Sequence, residues 1–149
     1  MRILLLFFIV FGLLSCNEQT QNRSTSFNKS YINQENGYSQ IVSVETGGVT
    51  TLYVSGQIGL GDDLESQMRS ALQNLTLQLE QAGATLDDIV KMNTYIVDYQ
   101  PEDLNVFRET RKDVMGNEQM PASTLVGVSA LALPEWLIEI EAVAVMVSK

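Results

Sequence analysis

The amino-acid sequence predicts an α/β domain of the α+β type, in which two helices cover one face of a sheet. Strand-like and helix-like hydrophobic periods follow each other along residues 37–149 in the order β-β-α-β-α-β-β. The chain has 149 residues, enough for one domain. Two helices cannot cover both faces of a sheet of about five strands, so we expect an oligomeric partner on the second face.

The domain is predicted to open with two strands joined by a tight turn. Residues 38–44 alternate along their length, and residues 51–55 are rich in the side chains that favour a return strand. Glycines at 47 and 48 between them indicate a hairpin. A Gly-Gln-Ile-Gly sequence at 56–59 follows, which indicates either an ordinary turn or a close approach of backbone to a ligand.

Two helices are predicted, at residues 63–82 and 101–115. In the first, leucine, methionine and alanine recur at helical spacing on one stripe, which predicts a face buried in the core. Asp62 and Glu65 resemble a capping box at its start. Gly83 is a natural end for the same helix.

Further strands are predicted at residues 87–97, 121–130 and 137–147, and the last has two unequal faces. Side chains alternate along a strand, so one face carries only apolar residues: Ile138, Ile140, Ala142, Ala144 and Met146. The other face begins with Glu139 and Glu141 and continues with three valines. The valines predict a face covered by another subunit, with both carboxylates at a polar site in that contact. Alternation alone instead favours carboxylates that reach solvent at a strand end.

The first residues have the pattern of a secretory signal. Arg2 precedes a 12-residue apolar run, which is too short for a comfortable membrane span. The run ends at Leu13-Leu14-Ser15-Cys16, which resembles the lipobox of bacterial lipoproteins, where the cysteine becomes the lipid-modified first residue. The alternative is an ordinary signal peptide with an incidental cysteine. Because Cys16 is the only cysteine and closes the apolar run, the sequence favours a lipoprotein signal peptide at residues 1–15.

Residues 16–36 are predicted to be the lipidated Cys16 followed by a flexible tether. They are mostly Asn, Gln, Ser and Thr, with little to bury. The folded domain is then residues 37–149. We expect a lipid-anchored protein of the bacterial cell envelope, in the periplasm or on an outer-membrane leaflet.

The composition excludes several chemistries. The chain has no histidine, which rules out a Ser-His-Asp triad, a Cys-His pair and a His-ligated zinc site. An acylated Cys16 is not a nucleophile, a metal ligand or half of a disulfide. The formal net charge is −9, and loss of Arg2 with the signal peptide makes it −10. Such an acidic surface repels nucleic acid and anionic lipid, so we expect no nucleic-acid partner and membrane attachment through the lipid alone.

Several short motifs, in order and at consistent spacing, make the chain resemble the RidA/YjgF family, also called YjgF-like or L-PSP. Each motif alone is weak, and together they are specific across about residues 37–147. They are Gly37-Tyr38-Ser39-Gln40, Ser55-Gly56-Gln57-Ile58, the helix from Gln67 to Leu75, Asp88-Ile89-Val90-Lys91, Pro121-Ala122 and Ile138-Glu139-Ile140-Glu141-Ala142.

The resemblance implies a chorismate-mutase-like fold that forms a ring-shaped homotrimer with small-molecule pockets between subunits. It also implies an activity, because family members with demonstrated chemistry are 2-imino acid deaminases. These enzymes hydrolyse reactive imines and enamines to a 2-keto acid and ammonia, without a metal or an organic cofactor.

The resemblance assigns roles to five residues of a site. Glu139 matches the catalytic glutamate that holds the attacking water, and Tyr38 matches a tyrosine that lines the pocket. The backbone around Thr124 and Leu125 matches the part of the pocket that helps to bind the water. Ser123 stands where the family has an arginine that grips the substrate carboxylate.

The serine at position 123 changes the expected ligand. An arginine offers two charge-assisted hydrogen bonds to a carboxylate, whereas a serine offers one neutral bond. The loss weakens carboxylate binding by about 2–4 kcal/mol, or about 30- to 1,000-fold. Arg108, Arg111 and Lys112 lie on the second helix and are predicted to point to solvent. The pocket should therefore prefer a neutral or cationic ligand.

Two functions remain open from the sequence. The first is a deaminase-like hydrolase that acts on a small imine, enamine or related compound, with reduced or altered activity on 2-imino acids. The second is a non-catalytic trimer that binds a small ligand on the same scaffold. RNA cleavage is disfavoured by the net charge, the absence of histidine and the predicted export.

Overall fold

The computed structural model describes residues 27–116 and 120–148 as an α+β fold. One six-stranded sheet has the order β1-β2-β3-β6-β4-β5, in which β4 and β5 run parallel and the other neighbours antiparallel. The predicted fold class is confirmed. The elements are β1 (Phe27–Gln34), β2 (Ser39–Thr46), β3 (Val49–Ile58), α1 (Leu64–Gln81), a 3₁₀ turn (Leu86–Asp88), β4 (Ile89–Val97), α2 (Asp103–Met115), β5 (Ala122–Val128) and β6 (Ile138–Val147).

The first strand corrects the predicted tether. Residues 27–34 pair with β2 over its whole length, from Phe27 opposite Thr46 to Gln34 opposite Ser39. Ile32 packs against the hydrophobic core. The prediction of a flexible tether is wrong for these residues, because the ladder with β2 satisfies their backbone groups whatever their side-chain polarity. The proposed signal peptide and Cys16 lie outside the described residues.

Helix α1 begins one residue later than predicted, and a different capping box starts it. The Asp63 carboxylate accepts from the backbone N–H of Ser66 at 2.8 Å, and the Ser66 hydroxyl accepts from the N–H of Asp63 at 3.2 Å. The predicted pair of Asp62 and Glu65 is therefore wrong by one position. Gly83 follows the helix with a φ of +77°, which confirms its predicted role at the helix end.

The core lies between the helices and one face of the sheet. The predicted apolar stripe of α1 is buried, as is the apolar face of β6 from Ile138 to Ala144. Across the β3–β6 ladder, Leu52 lies opposite Ala144 and Val54 opposite Ala142. A large residue beside a small one on each rung lets α1 pack closely on these strands.

The second face of the sheet has no cover within the described chain. Tyr53 is 51% exposed and Val145 is 36% exposed, although both sit on central strands. Glu139, Glu141 and Val143 of β6 share this face, which is called the open face below. In the described ranges, neither helix is both long and apolar enough to cross a membrane.

Candidate functional site

A cavity of about 650 Å³ lies between α1 and the paired ends of β3 and β6, and Glu139 reaches it from the open face. The β3–β6 ladder shifts register between Val54 and Gln57, and such a bulge bends the strand and makes room beside it. Glu139 is the charged side chain among the described residues that line the cavity. The lining residues are Tyr38, Gln40, Gly56, Gln57, Ile58, Asn74, Gln78, Ala132, Trp136 and Glu139.

Glu139 reaches the cavity because residue 56 has no side chain. A Cβ added to Gly56 would lie 1.7 Å from Glu139 Oε1. Burial raises the pKa of Glu139 above its ordinary value, and the negative charge of Glu141 adds to the shift. The hydrogen bonds of the described ranges include none to the Glu139 carboxylate, so it is free to bind a ligand or a water.

Glu141, two residues along the same face, is held in place by β4. Its Oε1 accepts from Asn93 Nδ2 at 2.7 Å and from the Tyr95 hydroxyl at 3.0 Å. The hydrogen bond to Glu141 raises the pKa of Tyr95. Glu141 is thus a fixed negative charge that faces Glu139, rather than a second free carboxylate.

A chain of amide hydrogen bonds orients Tyr38 at the cavity. Gln57 Nε2 donates to Gln40 Oε1 at 2.9 Å and to the backbone oxygen of Ser55 at 3.0 Å. Gln40 Nε2 in turn donates to the Tyr38 hydroxyl oxygen at 3.2 Å. Because that oxygen already accepts a hydrogen bond, the Tyr38 proton remains available for donation to a ligand. The structure therefore brings together Tyr38 and Glu139, as the resemblance implied.

Trp136 is a cavity residue that the sequence interpretation missed. Gln67, which is 5% exposed, holds the turn on both sides of it. Gln67 Nε2 donates to the backbone oxygen of Glu135 at 2.9 Å, and its Oε1 accepts from the N–H of Leu137 at 2.8 Å. A glutamine on the apolar stripe of a helix is the sequence signal that could have indicated these hydrogen bonds to the turn.

The structure does not bring Ser123, Thr124 and Leu125 to this cavity. They lie on β5, and β4 separates β5 from β6, which places the two strands roughly 10 Å apart. Ser123 pairs opposite the buried Met92 and so faces the helix side of the sheet, whereas Thr124 faces the open side. The five predicted site residues therefore divide into two groups within one chain.

Lys91 is the cation that contacts the predicted site residues on β5. Its Nζ donates to the Thr124 hydroxyl, across the β4–β5 pair. It does not line the cavity, and its side chain is on the opposite side of the sheet from Ser123. Lys91 does not restore a charge at the position of the family's arginine.

Arg111 corrects the prediction that the basic residues of α2 all point to solvent. Its guanidinium lies 4.9 Å from the centre of the Phe107 ring, and its Nε is buried with no hydrogen-bond partner among residues 27–116 and 120–148. Burial lowers the pKa of Arg111, and the positive charge of Arg108 adds to the effect. The aromatic face of Phe107 stabilises this half-buried cation. Arg108 and Lys112 are exposed, as predicted.

The part of the chain that the structure describes has no group of three or more His, Cys, Asp or Glu residues that could hold a metal ion. The chemistry on offer there is one free carboxylate, a donating phenol and an indole around a cavity of the size that small ligands occupy.

The fold and cavity define a class of small α+β proteins with an open sheet face beside a ligand-sized cleft. Residues 28–146 match the family described as Endoribonuclease L-PSP, and the chain belongs to this family, which is the RidA/YjgF family. A RutC family protein of Pyrococcus abyssi is 33% identical over 115 residues, covering 72% of this chain and 84% of the relative. A protein of Dermatophagoides farinae named 2-iminobutanoate/2-iminopropanoate deaminase is 29% identical, covering 73% of this chain and 85% of the relative.

Solved structures agree with the family. A member of the YjgF/YER057c/UK114 family from Mycobacterium tuberculosis aligns with a TM-score of 0.64 and 34% identity, covering 80% of this chain and 98% of that one. A protein of the conserved Rid family from Yersinia pestis aligns with a TM-score of 0.63 and 35% identity, covering 80% of this chain and 99% of that one.

Proposed function

We propose that this protein is a deaminase-like hydrolase that acts on a small imine, enamine or related compound. Glu139 carries the proposal: it is a free carboxylate with an increased affinity for protons, and it lines a ligand-sized cavity together with Tyr38. The deaminase name of the Dermatophagoides farinae relative supports the same reaction class.

Hydrolysis of an imine requires two proton transfers, and one carboxyl group can perform both. Water adds to the C=N carbon of the imine, and ammonia then leaves. Glu139 accepts the proton of the attacking water and returns a proton to the departing nitrogen. A carboxyl group whose pKa is raised toward neutrality serves both steps better than an ordinary glutamate. Tyr38 positions the ligand through the proton that its hydroxyl has free.

We infer that the complete site forms between subunits of a homotrimer. Within one chain, Ser123, Thr124 and Leu125 are separated from the cavity by a strand. A neighbouring copy can bring its β5 edge to this cavity. The exposed apolar side chains of the open face, including Tyr53 and Val145, support an association that covers them.

Activity on 2-imino acids should be reduced or altered relative to family members that carry the arginine. Ser123 cannot make a bidentate bond to a carboxylate. Arg111 is engaged with Phe107, and Lys91 is engaged with Thr124. A non-catalytic trimer that binds a small ligand in the same cavity is the second candidate, and the missing arginine is the observation that favours it.

RNA cleavage, which the family's description names, has little support here. The formal net charge of the chain is −9, and the charged group at the cavity is a carboxylate. Both repel a polyanion.

We also propose that the protein is exported and anchored to the cell envelope through a lipid on Cys16. Because β1 starts at Phe27, ten residues lie between Cys16 and the sheet, fewer than the sequence alone suggested. They span at most about 40 Å when extended. Labelling with a radioactive fatty acid, compared between the wild type and Cys16→Ser, would test this.

Ammonia release tests the proposed reaction. The full-length protein in mild detergent receives imines made in situ by an amino acid oxidase. We expect release above the uncatalysed rate in the wild type and its loss, by about 100-fold or more, in Glu139→Gln. Glu135→Gln removes an exposed acid four residues away and should change nothing.

Ser123→Arg extends the same assay. A rise in activity in this variant would show that the site is intact and that the serine limits the use of carboxylate substrates. Ligand binding without ammonia release in every variant and on every imine would favour the non-catalytic alternative.

A further inference from the structure

We propose that the cavity selects a flat organic cation without a carboxylate, and that its substrate is the protonated imine of a primary amine. The imine part of this inference rests on the proposed function. The preference for a cation rests on the charge and shape of the cavity alone, so the two parts can fail separately.

The first support is the charge at the cavity. Glu139 brings a negative charge, and no lysine or arginine of residues 27–116 and 120–148 lines the cavity. Within one chain, Lys91 is engaged with Thr124 and Arg111 with Phe107. Arg69 forms ion pairs on the surface: its Nη2 lies 3.2 Å from Glu65 Oε1 and 3.4 Å from Asp113 Oδ2. An anionic ligand would meet repulsion here, and a cation would meet an unneutralised carboxylate.

The second support is the state of Glu139 without a ligand. Its half-buried carboxylate has no hydrogen-bond partner in the described ranges, and burial makes its charged form costly. Among the residues that the structure describes, the titratable groups that face it are Glu141 on β6, Tyr95 on β4 and Tyr38 beside β2, and none of these is a cation. A bound cation supplies the missing counter-charge. The affinity of the cavity for a cation should therefore rise with pH as Glu139 loses its proton.

The third support is the hydrogen-bonding inventory of the wall. Both hydrogens of Gln57 Nε2 are used, by Gln40 and by the backbone oxygen of Ser55. Asn74 Nδ2 donates to the backbone oxygen of Ile58 at 2.8 Å. The amide oxygens of Gln57 and Asn74 have no hydrogen bond within the described ranges, so both can accept from the N–H donors of a ligand.

The fourth support is the aromatic side chains. Trp136 and Tyr38 both line the cavity. The face of an indole attracts a cation within about 6 Å of its centre, more strongly than the other aromatic rings do. A planar cation such as C=NH₂⁺ can pack against these rings and direct its N–H groups toward Glu139.

The proposed reaction balances without an oxidant or a cofactor: R–CH=NH₂⁺ + H₂O → R–CHO + NH₄⁺. Water adds to the carbon, one of its protons passes through Glu139 to the nitrogen, and the C–N bond breaks. The reaction that supplies such a substrate must be the oxidation of a primary amine to its imine. This places the protein downstream of an amine-oxidising enzyme rather than an amino-acid-converting one.

Trp136 makes the charge preference directly measurable, because it is the one tryptophan in the sequence. Its fluorescence is titrated in the full-length protein with three flat probes of similar shape: benzamidinium, benzamide and benzoate. We expect benzamidinium to bind about tenfold more tightly than benzamide, and benzoate to bind more weakly than both. Equal affinities, or tighter binding of benzoate, would overturn the inference.

Matched variants identify the group that sets the preference. Glu139→Gln should bring the affinities of benzamidinium and benzamide to within about twofold, while Glu135→Gln keeps the tenfold ratio. A ratio that survives in Glu139→Gln would contradict the role of Glu139. Calorimetric titration of Trp136→Phe should show weaker benzamidinium binding, and unchanged binding would contradict the role of the indole.

A final comparison separates this inference from the proposed function. Ammonia release is measured on an imine made by a flavin amine oxidase and on one made by an amino acid oxidase. Faster turnover of the amine-derived imine supports the substrate class, and faster turnover of the amino-acid-derived imine contradicts it while leaving the hydrolase in place. Selective binding of benzamidinium with no turnover of either imine supports the cation site and contradicts the hydrolase.

Discussion

Glu139 and Glu141 lie two residues apart on one face of β6, and the structure gives them different surroundings. Asn93 and Tyr95 hold Glu141 through its Oε1, whereas Glu139 faces the space above Gly56. A repeated Glu in a strand pattern cannot reveal this difference, because the donors come from another strand. The free carboxylate is the one that the family resemblance implied.

The raised pKa of Glu139 predicts how stability depends on pH. The folded protein binds the Glu139 proton more tightly than the unfolded chain does, so this group lowers the free energy of unfolding as pH rises from about 4.5 through its raised pKa. Glutamine does not titrate. We expect Glu139→Gln to be more stable than the wild type at pH 7, by less than about 1 kcal/mol because solvent screens a half-exposed group.

The measurement is urea unfolding at several pH values. The stability advantage of Glu139→Gln should disappear at pH 4 and below, where the wild-type carboxyl is protonated in both states. Glu135→Gln is the control. An advantage that stays constant from pH 4 to pH 7 would show that Glu139 carries no raised pKa.

At the scale of elements, two glycines lie close to neighbouring elements with different consequences: Gly56 in β3 and Gly59 directly after it. A Cβ at Gly56 would meet the end of the Glu139 side chain, whereas a Cβ at Gly59 would lie 1.8 Å from the backbone oxygen of Gln67. A side chain can rotate away, but the backbone of α1 moves only with the whole helix. The same residue type therefore serves the site at one position and the packing of α1 at the other.

This contrast predicts a separation of function from stability. Gly56→Ala should keep a melting temperature within a few degrees of the wild type but lose binding of benzamidinium, because the new methyl group displaces Glu139. Gly59→Ala should lose about 1–3 kcal/mol of stability, because α1 must move away from β3. Thermal unfolding and fluorescence titration measure both. Equal losses of stability in the two variants would contradict the assignment.

The 3₁₀ turn and β1 show where element prediction fails. The strand predicted at residues 87–97 begins at Ile89, because Leu86–Asp88 form the turn. Residues 27–34 have a polar composition that predicts a tether, yet they form β1. Hydrogen bonds between Thr85 and Asp88 hold the turn, and the ladder with β2 holds β1; composition and periodicity report neither contact.

At the scale of the whole molecule, the open face supports the association of subunits, and the family resemblance implies that the oligomer is a homotrimer. We expect the wild type to sediment as a trimer, because Tyr53, Val143 and Val145 would otherwise leave an apolar surface in water. Val145→Asp should dissociate it, since a buried charge without a partner is costly. Leu77→Asp, at an exposed position of α1, should leave the trimer intact.

Sedimentation velocity on the full-length protein in detergent, corrected for bound detergent, measures the mass of each variant. A wild type that sediments as a monomer would contradict the proposed intersubunit site. In that case the cavity beside Glu139 would be the whole site, and Ser123 would have no role in ligand choice.

Local sequence patterns were sufficient to predict the fold class, the buried stripe of α1 and the two faces of β6. Each of these follows from the period of a helix or a strand, which neighbouring residues express by themselves. The resemblance, carried by short motifs, was sufficient to predict the family, and it named Tyr38 and Glu139 as candidate site residues.

Tertiary structure decided what each polar residue does. The bulge of β3 opened the cavity, Gln67 placed Trp136 beside it, and the donors of β4 held Glu141 while leaving Glu139 free. The strand order placed Ser123 away from both glutamates. The physical reason is that hydrogen-bond partners, burial and charge environment are set across strands and between elements, where residues far apart in sequence come within a few ångströms of one another.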